Sequence, residues 1–299
     1  MSQPLAMVAN QFLERPGLAK STMRSYESAL MPLLSQYGRW PIDLLQRQTL
    51  EDYFNELDQV AYTTHHRHQA IVQALFNFAV EYAYISVNPI AHLKRRKPNQ
   101  AKGEHHSDQV IRYLSESQMH LVYQLMRRDL RMNALIHLLH RTGARISEIL
   151  ALDVAGVDLE QRKFQVIGKG NKIRWCFYCS DAADALERYL KYARHQRTPA
   201  LFTAQQPISR QVSRLSYRTA YQHWKNLTQG HDELEDIRLH DLRHTFATER
   251  VGIISIEELR ALMGHENIQT TLRYQKVTSQ KAEEAAQKAF QQIVAKGSF

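Results

Sequence analysis

"RTGARISEIL", residues 141–150, is the stretch on which the reading turns. An apolar helical pattern, "RMNALIHLLH", runs into it. Thr142-Gly143 interrupts that pattern, and the helix resumes through Arg145. Glu148 follows Arg145 by three positions, so both share a helix face and the carboxylate can orient the guanidinium. Taken alone, an exposed Arg–Glu pair is the commoner explanation of such a spacing.

Three segments downstream change the weighing. "VIGKGNKIR", residues 166–174, is the turn region of a β-hairpin. Its glycines permit positive φ and close approach, with Lys169 between them and Lys172 nearby. In "HDLRHTFAT", residues 240–248, His240 and Arg243 stand i, i+3 on one helical face, while His244 is adjacent but points off that face and is read as a supporting residue. In "LMGHENIQTTLRYQ", residues 262–275, Gly264 ends a helix and leaves His265 just past its C-terminus. Asn267 can cap a short helix carrying Tyr274. Each segment alone has a bland reading: an exposed turn, a surface His–Arg pair, a packed tyrosine.

Outward from these motifs, the chain is predicted to be mainly helical. The patterns "STMRSYESALMPLLSQYG" (21–38), "TLEDYFNEL" (49–57) and "THHRHQAIVQALFNFAVEYAYI" (64–85) read as helices. Ser21-Thr22 and Thr49 are the expected caps, and Pro32 marks a kink or an early end. The histidines 65, 66 and 68 read as a polar helix start rather than a metal site. "NPIAHLKRRKPNQAKGEHHSD" (88–108) then breaks the periodicity with Pro89, Pro98 and Gly103. Its basic run, Lys94, Arg95, Arg96 and Lys97, suits either a solvated tether or contact with phosphates. Further helices are expected at "SESQMHLVYQLMRRD", "DAADALERYLKYARHQ" (capped by Ser180), "RLSYRTAYQHWKNL" and "SIEELRALMGH", the last with a Ser255/Glu258 capping box.

The composition agrees with a polyanion-binding protein. The chain of 299 residues carries a net charge of +9, with ten Lys/Arg against eight Asp/Glu in residues 1–100 and 29 against 22 beyond them. No apolar run is long enough for a membrane span, and no signal-like segment opens the chain, so a cytoplasmic location is expected. Cys176 and Cys179 form a lone CxxC without a second ligand pair, which favours strand packing over metal binding.

Together the four segments supply the parts of a metal-free phosphoryl transfer. Two guanidiniums can neutralise a phosphodiester and the added charge of its pentacovalent transition state. A phenol, ordinarily titrating near 10, can attack once a base or positive charge assists it. A lysine can protonate the departing oxygen.

The motifs "TGARISE", "GKGNK", "HDLRHTFAT" and "LMGH", the last with its histidine nine residues before a tyrosine, resemble the signature of the tyrosine recombinase (phage integrase) family in its Xer-like branch. The N-terminal half is similar to the family's helical core-binding domain. "WCFYC" departs from the family's usual apolar-Pro-Leu strand end, and no additional arm-site-binding domain is expected.

The resemblance implies a core-binding domain at 1–97, a basic linker at 98–107 and a mostly helical catalytic domain with a small antiparallel sheet at 108–299. It implies that Arg145 and Arg243 bind the scissile phosphate, and that Tyr274 forms a 3′-phosphotyrosyl link. Lys169 is the implied general acid, with Lys172 its rival, and His240 the implied proton acceptor. His265 becomes a hydrogen-bond donor to the phosphate, and Glu148 supports Arg145. No cofactor or metal is implied. The implied partner is double-stranded DNA with an inverted-repeat site, bound by a dimer per site and a tetramer per synapse. A second recombinase or an accessory protein is compatible with this. The last helix, around 282–294 with the stripe Ala282, Ala286, Ala289, Phe290 and Ile293, would dock on a neighbour or pack on its own chain. A type IB topoisomerase or a non-catalytic architectural DNA-binding protein are the alternatives.

Overall fold

The computed structural model describes residues 2–99, 101, 103–104, 111–168, 172–275, 286–288 and 290–291. The chain divides into two compact units, Met1–Val110 and Ile111–Phe299.

The first unit is built from α1 (Leu5–Glu14), α2 (Lys20–Tyr37), α3 (Arg47–Glu56) and α4 (Tyr62–Glu81). Their helical stripes converge: Leu5, Val8 and Phe12 meet Leu30, Leu33, Leu50, Val72, Leu75 and Phe76, all buried. Three local expectations are corrected. Helix α2 starts at Lys20 behind Ala19, not at a Ser/Thr cap, and continues through Pro32. The carbonyl that Pro32 leaves without an N–H donor belongs to the exposed Ser28, where water can satisfy it. Helix α3 starts at Arg47 rather than behind Thr49. Its first turns carry i, i+4 pairs instead of a cap, Arg47 with Glu51 at 2.7 Å and Gln48 with Asp52 at 2.9 Å. His65 is not a solvated helix start. It is buried, with Nε2 3.0 Å from the Phe54 carbonyl.

The stretch after α4 folds back on this unit. Glu104 accepts from the backbone N–H groups of Tyr62 and Asn99 and from Arg96 at 2.8 Å. Arg96 also reaches Asp58 at 3.6 Å. Of the basic run, Lys94, Arg95 and Lys97 are exposed, whereas Arg96 is committed to these internal pairs.

The second unit contains α5 (Glu116–Met126), α6 (Leu130–Thr142), α7 (Ile146–Ala151), α8 (Ser180–Tyr192), α9 (Tyr217–Thr228), α10 (Asp241–Arg250), α11 (Ile256–Met263) and α12 (Ile268–Leu272). Helix α6 is its centre. Met132, Ala134, Leu135, Ile136, Leu138 and Leu139 are buried all round the helix, and α5, α8, α9 and α10 pack against it. Capping boxes open α5 at Ser115 and α11 at Ser255.

An antiparallel sheet joins β1 (Val157–Asp158), β2 (Lys163–Ile167) and β3 (Ile173–Phe177) in that order. Alternation places Phe164, Val166 and Cys176 inward, with Phe164 opposite Cys176. The CxxC is thereby split. Cys176 is core, its thiol pushed up to about 11 by burial, while the exposed Cys179 precedes α8, where Ser180 is the first helical residue rather than the cap. A second hairpin, β4 (Thr203–Gln205) with β5 (Val212–Arg214), was not expected from the sequence. Of the C-terminal stripe, Ala286 and Phe290 lie in helical, exposed segments, and Ala282, Ala289 and Ile293 fall outside the described residues.

Candidate active site

The break in "RTGARISEIL" is a left-handed turn. Gly143 closes α6 at φ +62°, its N–H bonded to the Leu139 carbonyl at 3.1 Å. A Cβ there would lie 2.3 Å from the Phe246 ring, so the glycine also permits α10 to press against the helix end. The chain then turns into α7 with Arg145 in the cap position. Glu148 accepts from the Arg145 backbone N–H at 2.7 Å and from its guanidinium at 2.9 Å. The pair is thus a capping box and an ion pair at once, rather than two side chains meeting on a helix face.

Glu148 has a second and tighter partner that sequence reasoning missed. Arg174 of β3 grips it with two parallel bonds of 2.9 and 2.7 Å and donates Nε to the Leu262 carbonyl at 3.1 Å. Both side chains are nearly buried. Burial opposes ionisation of Glu148, but Arg174 and the Arg145 amide and guanidinium outweigh it and hold the carboxyl below its usual range. The signal was present in the strand pattern. Arg174 stands two residues before the inward Cys176 and therefore on the same face. A cation on the buried face of a strand needs an acid opposite it. Arg174 also explains Gly264, the left-handed cap of α11 at φ +63°, where a Cβ would stand 2.8 Å from the arginine's Cδ.

Arg243 lies on α10 and is only 2% exposed. It donates Nη1 to the Gly143 carbonyl at 2.5 Å and Nη2 to the Met263 carbonyl at 2.6 Å. Burial, with Arg145 and Arg174 close by, pushes it down to about 10, so it stays charged at neutral pH. Three guanidiniums therefore surround one carboxylate, and the site holds excess positive charge.

The histidines are correspondingly held neutral. His240 caps α10, and burial followed by Arg243 lowers its pKa. His265 follows Gly264, with Nδ1 2.9 Å from the Thr271 hydroxyl, and is pushed down to about 3 by burial and then by Arg243, Arg145 and Arg174. His244 is pushed down to about 4, by burial and then by His240 and Arg243.

Tyr274 lies not within α12 but in the turn beyond it, its N–H bonded to the Thr271 carbonyl at 3.0 Å. Asn267 caps α12 as expected, accepting from the Gln269 N–H at 2.8 Å. The tyrosine is 9% exposed, and its ring runs parallel to that of His265 at 6.4 Å. Burial raises its pKa against the pull of Arg243, Arg273 and Arg145. Its hydroxyl is 2.6 Å from Nδ1 of His244, the residue that helical spacing had turned away.

The structure brings together Arg145, Glu148, Arg243, His265 and Tyr274, adds Arg174 and His244, and sets His240 edge-on against His244 at 4.9 Å. Lys169 lies outside the described residues. Lys172 is exposed, pairs with Glu266 at 3.6 Å, and lines with Arg174, Arg260 and His265 a cleft of about 320 Å³. Among the described residues, no group of three or more His, Cys, Asp or Glu side chains is placed to hold a metal ion, and no helix is long and apolar enough to cross a membrane.

Known proteins resemble this chain in sequence and in fold. Residues 112–281 match the phage integrase family. Tyrosine recombinase XerC of Corynebacterium efficiens is 36% identical over 170 residues, 54% of this chain and 51% of the relative. The matched region spans about half the length of the curated relatives. The fold is shared with the Tn1549 transposon integrase in complex with transposon right end DNA (TM-score 0.75, 18% identity, 96% of this chain and 99% of that one). It is shared too with the XerH site-specific recombinase bound to palindromic difH substrate (TM-score 0.69, 19% identity, 88% and 78%). A matching family model over more than half of the chain makes this protein a member of the phage integrase family, the tyrosine recombinases.

Proposed function

We propose that this chain is a site-specific DNA recombinase that cuts and rejoins strands through a covalent link to Tyr274. The observation that carries the reading is the phenol itself, buried beside neutral imidazoles and the positive field of Arg145 and Arg243. Such a pocket attracts a phosphodiester and stabilises the charge that builds as a fifth oxygen joins phosphorus.

In this reading Arg145 and Arg243 hold the non-bridging oxygens, and Glu148 with Arg174 fixes the first of them. His265, neutral and anchored through Thr271, donates Nε2–H toward the phosphate, and His240 lines the phosphate's approach. Tyr274 Oη bonds to phosphorus while the bond to the 5′ oxygen breaks. That oxygen takes a proton, which we assign to Lys169, with Lys172 the alternative donor. The products are a 3′-phosphotyrosyl strand and a 5′-hydroxyl, and attack by another 5′-hydroxyl reverses the step. The bond energy stays in the ester, so the cycle needs no nucleotide cofactor.

The unit Met1–Val110 serves as core-binding domain, with exposed Lys94, Arg95 and Lys97 placed to release counterions from phosphates. The substrate is duplex DNA with inverted repeats, met by two protomers per site and four per synapse, in the cytoplasm. The palindromic substrate of XerH supports that symmetry.

The test uses a duplex selected for binding from a randomised library and nicked in one strand, so that the released end diffuses away. The wild type should accumulate a denaturant-resistant protein–DNA adduct, and Tyr274→Phe should not. Equal adduct from both proteins, or none from either, refutes the assignment.

A further inference from the structure

We propose that His244, through Nδ1, is the acceptor of the Tyr274 phenol proton during strand cleavage and the donor that returns it during rejoining. The inference rests on the recombinase reading of Tyr274 and adds a residue to it. The family resemblance gives the acceptor role to His240, but the hydrogen bond made by the phenol in this structure runs to His244, at 2.6 Å. The ring centroids of the two residues lie 5.8 Å apart, with the planes tilted by 44°. His240 instead presents its ring edge-on to His244 at 4.9 Å, one step removed from the phenol.

The chemistry suits the geometry. A phenol whose ionisation is opposed by burial keeps its proton and donates it to the nearest lone pair. His244 offers that lone pair because its surroundings disfavour imidazolium. The facing groups are His240 at the cap position of α10 and Arg243 within it, Arg238 in the preceding loop, Arg273 and Tyr274 beyond α12, and His265 beyond α11. As Oη bonds to phosphorus, its proton passes to Nδ1. One proton leaves the tyrosine, one reaches the 5′ oxygen from the general acid, and the imidazolium is formed beside the incoming phosphate, whose negative charge offsets the arginines that had opposed it. Rejoining reverses each transfer.

Asparagine places Oδ1 near the position of Nδ1, so it can accept a hydrogen bond but cannot take up a proton. The experiment compares wild type, His244→Asn, His244→Ala and Tyr274→Phe on the selected nicked duplex, measuring the single-turnover rate of adduct formation from about pH 6 to 9, with binding of the intact duplex as the check on folding. The wild-type rate should be nearly flat across neutral pH. His244→Asn should bind the duplex normally, lose about a hundredfold in rate, and regain rate by about tenfold per pH unit, because the phenol must then ionise into solvent before attack. A loss under about threefold, or a larger loss with a flat profile, overturns the acceptor role and leaves His244 only a packing residue. If His244→Asn binds poorly, the pH slope of His244→Ala decides by the same criterion. An adduct that survives Tyr274→Phe overturns the recombinase reading and this proposal with it. An adduct lost in Tyr274→Phe but undiminished in His244→Asn overturns this proposal alone.

Discussion

Gly143→Ala is the most informative single substitution in the catalytic unit. The new residue would have to hold φ near +62°, which costs an L-residue about 1–2 kcal/mol. Its Cβ would also lie 2.3 Å from Cδ1 and 2.7 Å from Cε1 and Cγ of Phe246, a ring buried in its own apolar cluster. Forcing extra volume into such packing costs about 1–3 kcal/mol, so the total should be about 2–5 kcal/mol. Gly252→Ala supplies the control. Gly252 has φ +86° with nothing within 4 Å of the added carbon, so it should show only the backbone term. The assay is urea unfolding of the full chain, followed by the fluorescence of buried Trp224 with Trp40 and Trp175 replaced by Phe. Adding Phe246→Leu to Gly143→Ala should recover part of the difference. If the two glycine variants differ by less than about 0.5 kcal/mol, the close approach of α10 is not what requires glycine at 143.

Two further outcomes are expected. Arg174→Met should destabilise the same unit by about 3–5 kcal/mol, because it removes the two-bond partner of the buried Glu148 carboxylate. In the same urea assay, a cost below about 1 kcal/mol would mean that Arg145 alone satisfies the carboxylate. The depressed histidines predict acid sensitivity. His265 and His244 protonate near 6.5 in the unfolded chain but only near 3 and 4 in the fold. The unfolded state therefore binds more protons between those values, and stability declines as pH falls below about 6.5. Urea midpoints for His265→Asn should decline less steeply than wild type over pH 6.5 to 4.5, and parallel curves would contradict the burial of a neutral imidazole there.

Much of the fold could be read from the sequence because helical stripes are a local signal. Leu5, Val8 and Phe12, or the apolar run of α6, declare a buried face without knowledge of what covers it. Motif glycines were legible for the same reason, since Gly143 and Gly264 fall where a helical pattern stops. The helix starts were less so. The opening of α3 rests on i, i+4 side-chain pairs that compete with the capping rule. Arg174, and the contact that His244 makes, stayed hidden because their partners are distant in sequence. Arg174 meets Glu148 across 26 residues and His244 meets Tyr274 across 30. Helical spacing says which residues share a face, but only the fold says which neighbour that face receives. The β4–β5 hairpin escaped because its strands are three residues each, too short for alternation to register.

The position of Arg243 has a consequence for the site without it. The two carbonyls it binds belong to Gly143 and Met263, at the carboxyl ends of α6 and α11. Each helix end carries about half a negative charge. The arginine therefore does not simply add a cation to a neutral cavity. It covers two converging negative poles and offers the charge that remains. Arg243→Ala would do more than remove an attraction for phosphate, because it would expose a surface that repels it. The loss on binding a polyanion should accordingly exceed that of Arg145→Ala, whose guanidinium faces a carboxylate that Arg174 continues to neutralise.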